Sequence, residues 1–109
     1  MKTIDIVKSD NIGGTHLHGH INHSYADLVR VLGEPHQTFT PETGDKVDVE
    51  WGFKFPDGSV FTVYNWKDGK AYCGEEGEEV EDITDWHIGA HKQSTYDAVI
   101  DMLNIKLGE

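Results

Sequence analysis

The stretch VDVEWGFKFPDGSVFTVYNW, residues 47–66, decides the fold of this 109-residue chain. Apolar and aromatic side chains alternate with polar ones on both sides of Pro-Asp-Gly, which is typical of a tight turn. Because alternate residues of a strand share a face, the stretch predicts a β-hairpin with one buried face. We expect that face to hold Val47, Val49, Trp51, Phe53 and Phe55.

Shorter patterns extend the hairpin into a sheet. The turn sequence Lys-Asp-Gly-Lys at residues 67–70 predicts a third strand over residues 71–73, which completes a three-stranded antiparallel meander. Alternating residues also predict strands over residues 2–7, 15–22 and 85–89.

Two helices begin with the pattern Ser-x-x-Asp, in which the serine caps the first turn. Ser24 and Asp27 begin the first helix, and Gly33 ends it. Ser94 and Asp97 begin the second helix near the end of the chain.

The order of these elements predicts one α+β domain over residues 1–109, with two helices packed on one face of a mainly antiparallel sheet. The chain has no apolar run long enough to span a membrane, so we expect no membrane partner. A single cysteine, Cys73, fits the reducing conditions of the cytoplasm, where we expect the protein to act. These features are compatible with a monomer and with a homo-oligomer.

The charge is strongly negative, because 20 acidic residues face 9 basic ones and give a formal net charge of −11. Such a field repels nucleic-acid phosphates and anionic membranes and favours cations or a basic protein surface. The acidic residues are densest in residues 75–85, where they can imitate the closely spaced charges of nucleic acid. They are Glu75, Glu76, Glu78, Glu79, Glu81, Asp82 and Asp85. The alternative is a solvated loop that serves solubility alone.

Residues 13–23, GGTHLHGHINH, hold four of the seven histidines. Alternation predicts His16, His18 and His20 on one face of a strand, with Leu17 and Ile21 facing the core. That face is either solvated or a zinc site, and a zinc site needs a further ligand from Cys73, from Asp85 or from the segment WHIGAH. The candidate metal ligands are His16, His18, His20, His87 and His91.

Catalytic motifs are missing from the sequence, although His16 and His87 are a conceivable acid–base pair. Neither a nucleophile elbow nor a phosphate-binding glycine loop is present, so we expect a non-enzymatic protein without a cofactor. An alternative interpretation is a binding face on which aromatic side chains stack against a nucleotide-like molecule and polar side chains contact its polar groups. That face would use His16, Trp66, Lys67, Trp86 and His87.

Four segments, GTHLHGHI, SYADLVRVLGEP, DGSVFTVYNWKDGK and WHIGAH, resemble in order and spacing small uncharacterised bacteriophage-encoded proteins. The resemblance implies a viral protein that acts inside a bacterium. Together with the charge, it favours an acidic protein that inhibits a host protein with a basic surface, such as a defence or nucleic-acid-handling factor, by charge mimicry. The alternatives are a protein that sequesters a small nucleotide-like molecule and a histidine-based metal-binding protein.

Overall fold

The computed structural model describes residues 7–8, 15–38, 47–66, 69 and 73–108. The strands are β1 (Val7–Lys8), β2 (His16–Asn22), β3 (Gln37–Thr38), β4 (Val49–Lys54), β5 (Val60–Tyr64) and β6 (Asp85–Ala90). Within these ranges the α-helices are α1 (Tyr25–Leu32) and α2 (Gln93–Leu107). Two 3₁₀ turns, Gly74–Glu76 and Val80–Asp82, lie between β5 and β6.

Four long strands form the sheet in the order β4, β5, β6 and β2, and every neighbouring pair is antiparallel. The two-residue strands β1 and β3 pair with the outer edge of β4. Both helices contribute to one core on the same side of this sheet. The predicted α+β class, with a mainly antiparallel sheet, is therefore confirmed.

The third strand of the meander differs from the prediction, which placed it over residues 71–73. Residues 71 and 72 lie outside the described residues, and Cys73 directly precedes the first 3₁₀ turn. The strand that pairs with β5 is β6. Its Trp86 and Ile88 are fully buried, so β6 supplies the apolar side chains by which the strand beside β5 joins the core.

The predicted hairpin turn between β4 and β5 is present. Phe55 donates its backbone N–H to the Ser59 carbonyl at 2.9 Å, and Gly58 donates to the Phe55 carbonyl at 2.9 Å. The Asp57 carboxylate accepts hydrogen bonds from the hydroxyl and the backbone N–H of Ser59, and these bonds lower the pKa of Asp57.

Two tryptophans of the core hold both ends of α1. The indole of Trp51 donates to the carbonyl of Gly33, just after the helix, at 2.8 Å. The indole of Trp86 donates to the carbonyl of His23, just before the helix, at 2.9 Å. The two rings meet edge to face with centroids 5.6 Å apart. Each indole therefore packs its apolar surface in the core while its N–H group donates a hydrogen bond. Trp51, Phe53 and Phe55 are buried as predicted.

The helix starts agree with the sequence at α1 and differ at α2. Ser24 caps α1 by accepting the Asp27 N–H at 3.1 Å, and Gly33 ends it with a φ of 84°. The predicted cap at Ser94 is wrong, because α2 begins at Gln93 after Lys92 with no side-chain cap. The buried residues of α2 are Thr95, Val99, Met102 and Leu103. Neither helix within the described ranges combines the length and apolar character that crossing a bilayer requires.

Candidate site on the open face of the sheet

One row of side chains crosses all four long strands on the face opposite the helices. Glu50 of β4 pairs with Tyr64 of β5, Tyr64 pairs with His87 of β6, and His87 pairs with His20 of β2. Residues paired across antiparallel strands point to the same side of the sheet. We call this side the open face, and the side that carries α1 and α2 the covered face.

A bulge in β2 separates His20 from His16 and His18, although all three were predicted to share one face. The pairing register shifts between Leu17 and Gly19, so an extra residue is inserted opposite β6. His20 keeps its place on the open face, whereas the ring of His18 lies toward α2, with its centroid 6.2 Å from that of Tyr96. Leu17, predicted to face the core, is 47% exposed for the same reason. The prediction of a shared histidine face is therefore wrong.

His20, Asp85 and His87 form a compact group on the open face. The carboxylate of Asp85 lies between the two imidazoles, with Oδ1 2.9 Å from His20 Nδ1 and Oδ2 4.0 Å from His87 Nε2. The ring centroids of His20 and His87 are 4.1 Å apart. One potential ligand atom from each of the three residues lies within 4.8 Å of the other two.

Aromatic rings line one side of this group. The Tyr64 ring lies 5.4 Å from the His87 ring, and the Trp66 ring lies 6.4 Å from it. His87 is only 9% exposed, whereas Trp66 is 42% exposed. Burial raises the pKa of Tyr64, and the neighbouring Glu50 carboxylate raises it further. Burial also raises the pKa of Glu50 itself.

The predicted ligand face is only partly assembled. Trp66 and His87 are in contact, but Trp86 is fully buried in the core on the covered face. His16 pairs with Ala90 at the sheet edge, away from His87, so the conceivable acid–base pair is not formed. Lys67 lies outside the described residues. The prediction failed for Trp86 because strand alternation in WHIGA puts Trp86 and His87 on opposite faces.

Of the predicted metal ligands, His20 and His87 meet beside Asp85, whereas His16 and His18 form a separate pair. His18 turns its Nδ1 to the Gln93 side-chain oxygen at 3.2 Å, and its ring lies 4.7 Å from the ring of His16. Its Nε2 is buried with no hydrogen-bond partner among the described residues. His91 is exposed just after β6 and is not a member of the His20, Asp85 and His87 group.

The acidic segment, residues 75–85, is exposed at every one of its seven acidic positions. Val80 and Ile83 attach it to the core, and Ile83 is fully buried. The turn Val80–Asp82 lies against α1. Burial raises the pKa of Tyr25 in that helix, and the carboxylates of Glu34 and Glu81 raise it further.

A separate cleft of about 440 Å³ lies on the covered face, between the β4–β5 turn and the first turns of α2. Its charged side chains are Asp57, Lys92 and Asp101. These groups bring together neither a nucleophile with a base nor a set of metal ligands. Among the described residues, the close group of ionisable and aromatic side chains therefore lies on the open face.

Glu50, which ends the open-face row on β4, was not predicted as a site residue. Its signal was available, because Glu50 alternates with the buried Trp51 and so had to point away from the core. Neither protein-family models nor curated proteins match this chain.

Proposed function

We propose that this protein is a non-enzymatic acidic binding protein that occupies and blocks a basic surface on a host bacterial protein. The observation that carries the proposal is the exposure of all seven acidic side chains in residues 75–85. The segment contains no lysine or arginine, and the whole chain has a net charge of −11. Long-range attraction therefore favours a cationic partner.

The acidic segment is held in shape by short-range contacts. Within it, Asp82 donates its N–H to the Glu79 carbonyl at 2.8 Å, and Ile83 donates to the Val80 carbonyl at 3.2 Å. Buried Ile83 fixes the end of the second 3₁₀ turn to the core. A surface that is ordered before binding loses less conformational entropy when a partner docks, which favours a role in recognition over a role in solubility alone.

The partner is proposed to be a host protein that handles nucleic acid or takes part in defence. The resemblance of four segments to bacteriophage-encoded proteins supports a bacterial host. Phosphates of duplex DNA are spaced by about 1.7 Å along the axis, and a dense row of carboxylates presents a comparable array of negative charge to a DNA-binding groove. Direct binding to nucleic acid is disfavoured by the same charge.

The test compares two variants that remove the same number of negative charges from different places. Glu78→Gln with Glu81→Gln alters the acidic segment, and Asp97→Asn with Asp101→Asn alters exposed positions of α2. A partner captured from bacterial lysate by the unaltered protein is then used for association-rate measurements at increasing salt. We expect the segment variant to associate several-fold more slowly than the α2 variant.

The unaltered protein should also lose association rate steeply with salt, because exposed charges are screened over about 8 Å at physiological ionic strength. Equal rates for the two variants, or a rate that does not respond to salt, contradict the proposal. Circular dichroism of both variants verifies that neither substitution changes the fold.

A second candidate function, the capture of a small nucleotide-like molecule, is favoured by the exposed ring of Trp66 beside Tyr64 and His87. A planar base can stack on such a ring. Nucleosides and nucleotides should then quench the fluorescence of the protein, and the quenching should disappear in Trp66→Phe, which keeps the buried tryptophans. Quenching that persists in Trp66→Phe, or no quenching in the unaltered protein, contradicts this function.

A further inference from the structure

We propose that His20, Asp85 and His87 bind one divalent transition-metal ion, with Zn²⁺ as the best-suited ion, on the open face of the sheet. The proposal does not depend on the protein-binding function above. It rests on a ligand set that two strands bring together, and on the surroundings of that set.

The backbone fixes the three ligands relative to one another. His20 and His87 are direct partners across β2 and β6, and Asp85 precedes His87 by two residues on the same strand face. Their ligand atoms all lie within 4.8 Å of one another. Zinc bonds of about 2.0–2.1 Å in a tetrahedral site require ligand atoms about 3.3 Å apart, and the exposed side chains of His20 and Asp85 have room to rotate toward that spacing.

The present hydrogen bond marks the position for the ion. Asp85 Oδ1 is 2.9 Å from His20 Nδ1, and its second oxygen faces His87 Nε2 at 4.0 Å. A carboxylate between two imidazoles supplies two nitrogen ligands and one oxygen ligand. On binding, the metal ion replaces the proton shared by His20 and Asp85, and that proton passes to solvent.

The chemistry of the ligands selects the class of metal. Imidazole nitrogen suits Zn²⁺, Cu²⁺, Ni²⁺ and Co²⁺, whereas Mg²⁺ and Ca²⁺ prefer an all-oxygen set. His20 and Asp85 are exposed and His87 is mostly buried, so the remaining coordination positions face solvent. Such a site resembles those in which three protein ligands leave a fourth position for water or another donor.

Two features of the surroundings strengthen the site. The rings of Tyr64, Trp66 and His20 enclose His87 and fix its orientation, which reduces the entropy lost when the ion binds. The net charge of −11 raises the concentration of cations near the surface. Asp85 is also the last acidic residue of the acidic segment, so a bound ion would lie directly beside that surface.

The test is calorimetric titration of ZnCl₂ into protein that was purified without an affinity tag and stripped with a chelator. We expect one ion per chain for the unaltered protein, and no saturable heat with MgCl₂. His20→Ala and Asp85→Asn should each weaken zinc binding by about ten-fold or more. His16→Ala is the matched control, because it removes an exposed histidine of the same strand that lies outside the group.

His20 and Asp85 are exposed, so both substitutions leave the fold intact, which circular dichroism verifies. Visible absorption of bound Co²⁺ gives a second readout, since its intensity distinguishes tetrahedral from octahedral coordination. The proposal is overturned if the unaltered protein shows no saturable zinc binding, if either His20→Ala or Asp85→Asn binds as well as the unaltered protein, or if His16→Ala weakens binding equally.

Discussion

The two faces of the sheet are built by alternate residues of the same strands, yet they differ in almost every property. On the covered face, Trp51, Val63, Trp86 and Ile88 are fully buried beneath the helices. The open face carries instead a row of ionisable side chains from Glu50 to His20. A period of two thus lets one short strand place buried side chains on one face and ionisable side chains on the other.

The difference extends to how polar atoms are used. On the covered face, the indole N–H groups of Trp51 and Trp86 donate hydrogen bonds to the backbone carbonyls that flank α1. On the open face, His20 and Asp85 bond to each other and are both exposed to solvent. The covered face therefore joins the elements of the fold, whereas the open face has polar groups available for exchange with a ligand.

The largest expected effect is the loss of a covered-face tryptophan. Trp86→Ala should lower the free energy of unfolding by about 3–5 kcal/mol, because it opens a cavity and leaves the His23 carbonyl without its donor. Trp66→Ala is the matched control on the open side of the molecule and should cost about 1 kcal/mol or less. Denaturant unfolding measures both, and similar costs for the two variants contradict the division between the faces.

An intermediate effect is expected at the bulge of β2. A Cβ atom at Gly19 would clash with the Tyr96 hydroxyl oxygen, so Gly19→Ala should destabilise the protein by about 1–3 kcal/mol. The cost should shrink when Tyr96→Ala is already present, which a double-mutant cycle measures. A cost that does not depend on Tyr96 shows that the bulge does not direct Gly19 toward α2.

The smallest expected effects are opposite pH dependences at two acidic residues. Burial raises the pKa of Glu50, so its ionised form opposes folding, and Glu50→Gln should slightly stabilise the protein at neutral pH. That gain should disappear as the pH falls through the raised pKa of Glu50. Hydrogen bonds from Ser59 lower the pKa of Asp57, so Asp57→Asn should destabilise at neutral pH, and this loss should vanish in acid.

Thermal unfolding between pH 3 and pH 8 measures the difference between each variant and the unaltered protein. Asp57 lies at the exposed β4–β5 turn and Glu50 in the open-face row, so the pair also compares a solvated acid with a partly buried one. The same sign for both variants at neutral pH contradicts the account of their surroundings.

Local sequence patterns predicted the elements whose contacts are local. The alternation in residues 47–66 and the turn chemistry of Pro-Asp-Gly correctly predicted the hairpin, because its two strands pair with each other. The capping pattern at Ser24 and the stop at Gly33 also predicted α1 within a residue. These features depend on neighbours only a few positions away.

Features that depend on pairing between segments far apart in the chain were not predicted from the sequence. The bulge of β2 exists only relative to β6, so alternation alone placed His18 with His20 when the structure separates them. The third strand of the meander likewise depends on which segment can fill the core. Asn65, just after β5, is a further example, since its side-chain oxygen accepts the backbone N–H groups of Asp48 and Val49 where β4 begins. The group of His20, Asp85 and His87 was therefore only partly predictable, because β2 and β6 are far apart in the chain.

We infer a division between the two faces, in which contacts on the covered face hold the fold and the proposed metal site lies on the open face. Nitrogen-15 NMR of the histidine side chains during a zinc titration tests it most directly, because it observes all seven imidazoles in one sample. The account predicts that the ring nitrogens of His20 and His87 shift in proportion to added zinc, while those of His16 and His18 do not. Shifts at His16 and His18 with none at His20 and His87, or no shift at any histidine, would contradict it.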